Sequence, residues 1–505
     1  MTGLGEPTSA ERGVLAAVAA GEEFDLRVGD PEQDDPRHGA AWDEARIVRA
    51  SFLSGLCVGV FDAGPAHARG LRLRGARISG ALSLEAATVA FPLTFRDCSF
   101  DEPLVLTEAR LVSLRLPGCH VPGINADQLE TRGNVDLSDG FRADGEVRLV
   151  RAHIGGALDC GGGIFANPGG LALNADGLTV DQSMLCRWGF RADGGVHLRG
   201  AHIGGWLSCG GGTFANAGRC ALNARGMTVE QDMYCGDGFR ADGEFRLIGA
   251  RIGGRLSCGG AIFSNPDGHT LNGDHMAVGG LLLLLPAAPP QGIVALTHAR
   301  VGVLVDAQET WPAALRLDGF VYDAIRASPE VTVEQRLDWL ERDLDGYSPQ
   351  KYEQLAGAYR RTGQEQEARA VAIAKQRARR QVLSRPGRLW SRLLGVTVGY
   401  GYQPWRALWW LAGFVTVGAV LFANAYPSAT TATTPAGQLP VFQPVVYALD
   451  VLLPVVDLRQ EEFWIPDAAQ PWGWLFLGWF WLSIGAGWIL TSVVAAAVTG
   501  LLRTD

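Results

Sequence analysis

Apolar and polar residues alternate in a short pattern that repeats three times in the middle of the chain. The segment GFRADGEVRLVRAHIGGALDC begins at Gly140, and near-copies begin at Gly189 and Gly238, which gives a period of 49 residues. Apolar residues at every second position are typical of β-strands, and glycines at fixed offsets are typical of tight corners. The pattern therefore predicts a stack of short strands built by sequence repetition.

Each 49-residue period contains two unequal copies of one unit. The unit that includes Ile154 recurs at Val180, 26 residues later, and at Ile203, 23 residues after that. A unit of this length without a long amphipathic helix fits one coil of a parallel β-helix. Fainter copies at residues 109–111 and 299–301 extend the array. We therefore predict a mainly β fold, with a parallel β-helix (solenoid) over residues 68–322.

The segments on either side of the repeats follow a helical period. In residues 1–67, Val14 and Val18 fall on one helix face and Ile47 on a later helix, which predicts a helical N-terminal cap over the open sheet stack. Residues 323–384 contain Ser348 and Pro349 as helix-start signals and Gly363 as a break. They predict a short α-helical hairpin linker.

The C-terminal residues 385–505 are far more apolar and predict a two-helix transmembrane hairpin. Spans at about 405–425 and 472–502 are each long enough to cross ~30 Å of hydrocarbon. The apolar segment 440–456 is shorter, and we interpret it as a candidate re-entrant segment. A basic run precedes the first span and the loop between the spans is acidic. The positive-inside rule then predicts a plasma-membrane protein with both termini and the solenoid in the cytoplasm.

Composition narrows the function. The net charge of −9 leaves no dominant basic face on the soluble part, so we expect no nucleic-acid partner. Residues 1–35 are acidic and lack a long apolar run, so we expect no cleavable signal peptide and a soluble part in the reducing cytoplasm. The sequence carries no dinucleotide fingerprint, zinc-ligand spacing or iron–sulfur spacing. We therefore expect no cofactor, no metal and no catalytic residues.

Five cysteines fall in register along the repeats and allow two interpretations. A reactive ladder would use them for redox or metal chemistry, whereas an inward stack would use them as small apolar side chains. Leu84, Leu137 and Leu284 occupy the same place in other coils, which favours the inward stack. The five are Cys160, Cys186, Cys209, Cys235 and Cys258.

Charged residues also recur with the 49-residue period, near the start of each repeat. They form a candidate surface ladder that could line a binding groove, although salt bridges at corners explain the same pattern. The ladder consists of Arg142, Asp144, Arg191, Asp193, Arg240 and Asp242. A ladder of asparagines, Asn167, Asn216 and Asn265, indicates turns.

Acidic residues in the loop between the spans are the candidate pore residues. If several copies assembled, Asp457, Glu461 and Glu462 could form cation-attracting rings; exposed, solvated acids are the default alternative. Residues 397–401 spell TVGYG, the sequence of a potassium filter, but they precede the first span and have no earlier membrane helix to frame them. We therefore interpret them as an interfacial turn.

Two motifs carry a family resemblance: the units GARIGG and GFRADGE in the repeats, and GYGYQPWRALWW before the first span. At these motifs the chain resembles actinobacterial membrane proteins often described as membrane-associated oxidoreductases. The resemblance spans nearly the whole chain and implies a redox activity. The coils are similar in architecture to bactofilin, a cytoplasmic β-helix protein that polymerises end to end, and the hairpin resembles two-span channel subunits.

These observations favour a membrane-anchored, non-catalytic scaffold, sensor or interaction module. Its expected partners are the lipid bilayer, an unknown protein, and further copies of itself bound through the hairpin or the solenoid. One alternative is an oligomeric, two-span, channel-like pore. The other is the membrane-associated oxidoreductase implied by the resemblance.

Overall fold

The computed structural model of the chain describes residues 6–60, 68–380, 384–401, 403, 405–426, 428, 430–432 and 441–498. The chain divides into two compact units, Met1–Gly363 and Gln364–Asp505. The first unit contains all the repeats, and the second contains the long apolar helices.

The first unit is a parallel β-solenoid of about eleven turns, which confirms the predicted fold class. Each turn crosses two sheets, which we name sheet A and sheet B. In sheet A, Ile154 pairs with Val180 and Val180 pairs with Ile203. The alternating spacings of 26 and 23 residues are therefore successive turns, and the longer turn contains an extra excursion in sheet B.

The strands are short because each turn bends several times. Sheet A contains Phe24–Asp25, Leu71–Arg74, Leu93–Arg96, Arg110–Leu111, Leu114–Arg115, Glu130–Thr131, Val135–Asp136, His153–Ile154, Leu158–Asp159, Thr179–Val180, Met184–Leu185, His202–Ile203, Leu207–Ser208, Thr228–Val229, Met233–Tyr234, Arg251–Ile252, Leu256–Ser257, Ala277–Leu284, Arg300–Asp306 and Val321–Ala327. Sheet B contains Ile47–Arg49, Arg77–Ser79, Ser99–Phe100, Leu104–Val105, His120–Val121, Ile124–Asn125, Arg142–Ala143, Val147–Arg148, Ile164–Asn174, Arg191–His197, Thr213–Asn223, Arg240–Arg246, Ile262–Asn272, Gln291–Ala295 and Ala314–Arg316.

Equivalent side chains stack on one another inside the solenoid. Six phenylalanine rings follow each other with centroids 5.3–5.8 Å apart, and all six are buried. Such offset aromatic pairs each contribute about 0.5–1.5 kcal/mol beyond the burial of their apolar area. The rings belong to Phe141, Phe165, Phe190, Phe214, Phe239 and Phe263.

A glycine in the RADG motif makes room for a neighbouring main chain. Gly194 has φ 132°, and a Cβ there would lie 2.5 Å from the Asn167 carbonyl oxygen; Gly243 has φ 125° and meets Asn216 in the same way. The excursion that this glycine accommodates is closed by the asparagine amide, since Asn167 Nδ2 donates to the Leu171 carbonyl at 2.8 Å. The asparagine ladder is therefore turn chemistry, as predicted.

The N-terminal cap contains helix α1 (Ser9–Ala20) and helix α2 (Ala50–Cys57). It also contributes two strands, and the helical prediction for Ile47 is wrong, because Ile47–Arg49 forms the edge strand of sheet B. The carboxylate of Glu11, a fully buried residue of α1, accepts hydrogen bonds from the Arg49 amide at 3.2 Å and the Arg49 Nε at 2.8 Å. Burial alone would raise the pKa of Glu11, but these hydrogen bonds outweigh it and lower the pKa.

Helix α3 (Val333–Glu341) and helix α4 (Pro349–Arg361) follow the last turn. The segment between them closes the edge of sheet B, because the Leu315 amide donates to the Arg342 carbonyl at 3.0 Å and the Leu344 amide donates to the Leu315 carbonyl at 2.9 Å. Side chains of α4 close the edge of sheet A, since Gln350 and Arg361 donate to main-chain carbonyls of residues 320–323.

A buried ion pair fixes α3 to the solenoid. Arg336 of α3 donates to both oxygens of Asp306, at 2.6 and 2.8 Å, and both residues are at most 3% exposed. The Trp311 Nε1 donates to the same carboxylate at 3.0 Å. The guanidinium carbon also lies 4.9 Å from the Trp311 ring centroid and 5.2 Å from that of Trp339. The charge is therefore enclosed by hydrogen bonds and aromatic faces.

The second unit contains helices α5 (Glu365–Arg379), α6 (Arg385–Val398), α7 (Arg406–Ala425), α8 (Pro444–Leu452) and α9 (Gly473–Val498). Thr430–Ala432 and Trp464–Pro466 form an antiparallel pair. Two helices are long and apolar enough to cross a membrane: Arg406–Ala425, and Gly473–Ala495 within α9, with mean hydropathies of 1.7 and 1.5. They match the two predicted spans.

Replacing Arg336 by methionine leaves the Asp306 carboxylate buried without its cation. We expect this change to destabilise the C-terminal end of the solenoid by about 3–5 kcal/mol. Hydrogen exchange of residues 291–327 measures the effect locally, which suits a repeat protein that does not unfold in one step. Arg110→Met breaks an ion pair whose side chains are 67% and 57% exposed and is the control, with an effect below about 1 kcal/mol. Equal protection in both variants would contradict the assignment.

Candidate functional site

The predicted Arg/Asp ladder lies on three strands of sheet B. Strand pairing connects Arg142 to Arg191 through Ile164, and Arg191 to Arg240 through Thr213. A charged pair therefore stands on every second turn, about 9.6 Å from the next, because neighbouring strands lie about 4.8 Å apart.

Each arginine of the ladder pairs with the aspartate two residues further along its own chain. The nitrogen–oxygen distances are 2.7 Å for Arg142–Asp144, 2.7 Å for Arg191–Asp193 and 2.8 Å for Arg240–Asp242. His120 also lies 2.7 Å from Asp144, whose pKa burial would raise but which these two partners lower. The pairs lie on strands, so they face outward from the sheet and present both charges to a partner.

A shallow groove of about 500 Å³ adjoins the middle pair. It is lined by Arg191 and Asp193 and by the two excursions around Gly169 and Asn216. Arg219 bridges these excursions by donating to the Gly169 carbonyl at 2.9 Å. The ladder thus borders a groove in the middle repeat.

Two exposed tryptophans distinguish the middle repeat from its neighbours. Trp188 is 74% exposed and Trp206 is 47% exposed, whereas the equivalent residues in the first and third repeats are Asp139 and Ala157, and Asp237 and Arg255. The two tryptophans lie on adjacent turns of sheet A, because the Met184 amide donates to the Trp206 carbonyl and the Trp188 amide donates to the Gly210 carbonyl.

The tryptophans flank a partly apolar strip of outward positions. Leu185, Ser208 and Tyr234 are in register on consecutive turns between them. Large aromatic side chains on a rigid surface are the residues that most often dominate protein interfaces. Our sequence reasoning did not single out these positions, although aligning the three repeats column by column would have revealed them.

The cysteine ladder points inward, which confirms the interpretation as a stack of small apolar side chains. All five residues are at most 2% exposed. Burial raises the pKa of Cys258 to about 12, so the thiol stays protonated at neutral pH. A redox role that depends on these cysteines, as the oxidoreductase resemblance would suggest, therefore lacks a thiolate. Among the described residues, no group of three or more His, Cys, Asp or Glu is arranged to hold a metal ion.

The candidate re-entrant segment contains α8, which runs alongside both apolar helices. Tyr447 of α8 packs edge-on against Phe422 of α7 with ring centroids 4.7 Å apart. A Cβ on Gly418 would lie 3.2 Å from the Cβ of Ala448. A Cβ on Gly487 of α9 would lie 1.7 Å from the carbonyl oxygen of Leu452, so only glycine allows this approach. Residue 440 of the predicted segment lies outside the described residues.

These contacts give α8 a depth along the hairpin. Gly418 lies seven residues before the end of α7, and Gly487 lies fourteen residues after the start of α9. At 1.5 Å per residue, α8 extends from about 10 to about 21 Å below the end at which the loop joins the helices. That depth corresponds to the middle of a bilayer if α7 and α9 span it.

One buried carboxylate holds the chain as it returns from this depth. Asp450 is 5% exposed and accepts hydrogen bonds from the amides of Leu458 at 2.6 Å, Gln460 at 2.6 Å and Glu461 at 2.9 Å. The Tyr447 hydroxyl donates to the Trp464 carbonyl at 2.9 Å. The descending helix and the returning segment are therefore joined through side-chain to main-chain bonds.

The predicted pore acids lie on the returning segment. Asp457, Glu461 and Glu462 are exposed, and Asp457 accepts from the Arg459 amide at 2.9 Å. Residues 397–401 lie at the end of α6 and in a 3₁₀ turn before α7, where Tyr400 has φ 61°. TVGYG therefore forms a turn ahead of the first apolar helix.

No protein-family model matches the chain, and comparisons with curated proteins and with solved structures found no match. The resemblances stated from the motifs stay predictions. The site is consequently argued from its own geometry.

Alkylation tests the inward cysteine ladder. We expect iodoacetamide at pH 8 to leave the five ladder cysteines unmodified in the native protein and to react first with Cys220, because Cys220 is only partly buried. Its own reaction should be slow, since burial raises the pKa of this thiol to about 11. Mass spectrometry of peptides from native and urea-unfolded protein measures the difference. Rapid native modification of Cys209 would contradict the assignment.

Proposed function

We propose that the chain is a membrane-anchored scaffold, in which a cytoplasmic solenoid binds a protein partner and the hairpin of α7 and α9 holds it at the plasma membrane. The observation that carries this proposal is the combination of a β-solenoid with two apolar helices in one chain. The solenoid offers a long rigid surface, and rigid repeat surfaces commonly bind extended partners.

The exposure of the apolar helices supports a membrane location. Only 22% and 17% of the most apolar window of each helix is buried, whereas a core helix of a soluble protein would be mostly buried. Trp409 is 72% exposed and Trp488 is 59% exposed. Leaving so much apolar surface in water is unfavourable, and lipid would cover it.

The partner surface that we propose is the strip of sheet A between Trp188 and Trp206. Nothing in the chain's own repeats requires tryptophan there, since polar or small residues occupy the equivalent positions. A partner that buries both indoles would gain large apolar contacts without ordering a flexible loop. The Arg/Asp ladder on sheet B is the alternative surface for the same role.

The test uses the full-length chain isolated from its native membranes with the protein that accompanies it. Once that partner is purified, we expect the W188A/W206A variant to bind it at least about 30-fold more weakly, because each hot-spot truncation costs about 2 kcal/mol or more. Ile262→Ala, at an exposed apolar residue on sheet B, is the matched control and should change the affinity less than about threefold.

Two results would separate the surfaces. Weaker binding only in R191A/D193A would move the site to the ladder. Unchanged binding in the aromatic and the ladder variants would contradict a partner site on either surface.

A second candidate function is an oligomeric pore, and the position of α8 favours it. Ionisable groups at membrane depth are costly, and they usually face other subunits or a water-filled path. Asp450 at this depth, with Glu461 beside it, fits such a path if several hairpins assemble. An acidic lining would favour cations.

Reconstitution tests the pore directly. We expect a pore-forming chain to purify as an oligomer and to conduct cations in vesicles, with at least a several-fold smaller flux for D457N/E461Q. Asp467→Asn, in the same loop, is the control with unchanged flux. A monomeric chain without conductance would remove this function and leave the scaffold standing.

A further inference from the structure

A stretch without acidic residues begins in α5 and continues past the first apolar helix. Glu367 and Asp450 are the acids that bound it, and nine basic residues lie between them. Because the whole chain carries −9 and this stretch +9, the rest of the chain carries −18. The basic residues are Arg369, Lys375, Arg377, Arg379, Arg380, Arg385, Arg388, Arg392 and Arg406.

The arginines of this stretch differ from those of the solenoid in having no acidic partner. Among the described residues, no Asp or Glu lies within ion-pair distance of five exposed arginines, whereas many solenoid arginines are paired. The five are Arg377, Arg379, Arg385, Arg388 and Arg392. We name them the basic cluster.

The fold brings the two halves of the basic cluster together. Arg380, at the end of α5, donates through Nε to the Ser391 hydroxyl of α6 at 3.2 Å. Partial burial and repulsion from Arg377 and Arg392 lower the pKa of Arg380. Arg385, Arg388 and Arg392 are spaced three and four residues apart in α6, so they share one helix face. The concentrated positive charge has no internal counter-charge among the described residues.

The cluster lies at one end of the hairpin. Helix α6 contacts α7, α9 and the 3₁₀ turn that precedes α7. Trp405, Trp409 and Trp410, which begin the first apolar segment, are 44–72% exposed. The acidic residues of the loop lie beyond the opposite end of α7. Basic and aromatic residues at one end of a span are the arrangement found where a helix leaves the bilayer.

We propose that the basic cluster binds the headgroups of anionic phospholipids in the leaflet facing the solenoid. This inference rests on the membrane anchoring proposed above. Each basic residue near an anionic membrane surface strengthens binding by about fivefold. A nucleic acid carries the same charge, but the strongly acidic remainder of the chain would repel a long polyanion, whereas lipid headgroups are small and held at the bilayer surface.

The test measures lipid binding by the full-length chain in a neutral detergent. Native mass spectrometry gives the apparent Kd of added phosphatidylglycerol and of phosphatidylcholine. We expect phosphatidylglycerol to bind more tightly, and R385Q/R388Q/R392Q to weaken its binding at least tenfold without affecting phosphatidylcholine. R110Q/R251Q/R300Q removes the same charge from exposed solenoid positions and should bind like the unchanged chain.

Further arms make the outcome decisive. R385K/R388K/R392K keeps the charge and should keep the binding, which separates electrostatic recognition from a folding defect. Equal binding of both lipids, unchanged phosphatidylglycerol binding in the glutamine variant, or tighter binding of a double-stranded DNA oligomer would overturn the proposal. If the chain enters membrane fractions and shows no headgroup preference, only this inference fails. If it stays out of them, the anchoring itself fails.

Discussion

Main-chain hydrogen bonds between successive turns hold the solenoid together, and each of them requires a neighbouring turn. Inside the array, one turn satisfies the next, and the side chains stack as a consequence. At the two ends this supply stops, so the remaining donors and acceptors must find partners elsewhere. Glu11 serves this purpose at one end, and residues 342–344 with the side chains of α4 serve it at the other.

Closing both ends has a consequence for assembly. A free strand edge is a template for another chain, and end-to-end growth of a β-helix depends on such edges. Here another solenoid would have to displace α1 at one end, or α3 with its buried Arg336 ion pair at the other. The hairpin therefore offers a better route to a homo-oligomer than the solenoid ends, and long lateral faces remain for other partners.

The same constraint reappears in the hairpin, where a low dielectric makes an unsatisfied group still more costly. Helix α8 ends beside Gly487, and its last turns cannot continue the helical hydrogen bonding. Asp450 resolves this by accepting three amides of the returning segment, with Tyr447 bonded to Trp464. A carboxylate satisfied in this way stabilises the loop, and its position still places charge at the depth of the bilayer. These two properties make the segment structurally sound under either proposed function.

Much of the fold could be predicted because it is encoded locally and repeated. The 49-residue period specifies the coils, the equivalence of Cys160 with Leu84 and Leu137 indicates an inward position, and Gly363 lies between α4 and α5 as its sequence context predicts. Ile47 was misassigned because three residues are too few to separate a strand period from a helical one. The Asp306–Arg336 pair joins residues 30 positions apart and depends on tertiary packing. The exposed tryptophans were encoded in the repeats but required comparison across columns.

The central claim is that one membrane hairpin separates an acidic loop from the solenoid. It is tested most directly by labelling intact cells with a membrane-impermeant maleimide after introducing one cysteine at a time. Gln470→Cys, in the loop, should react in intact cells, whereas Arg251→Cys, on an exposed face of the solenoid, should react only after permeabilisation. The native ladder cysteines are buried and should give little background. Reaction of Arg251→Cys in intact cells, or protection of Gln470→Cys there, would contradict the account.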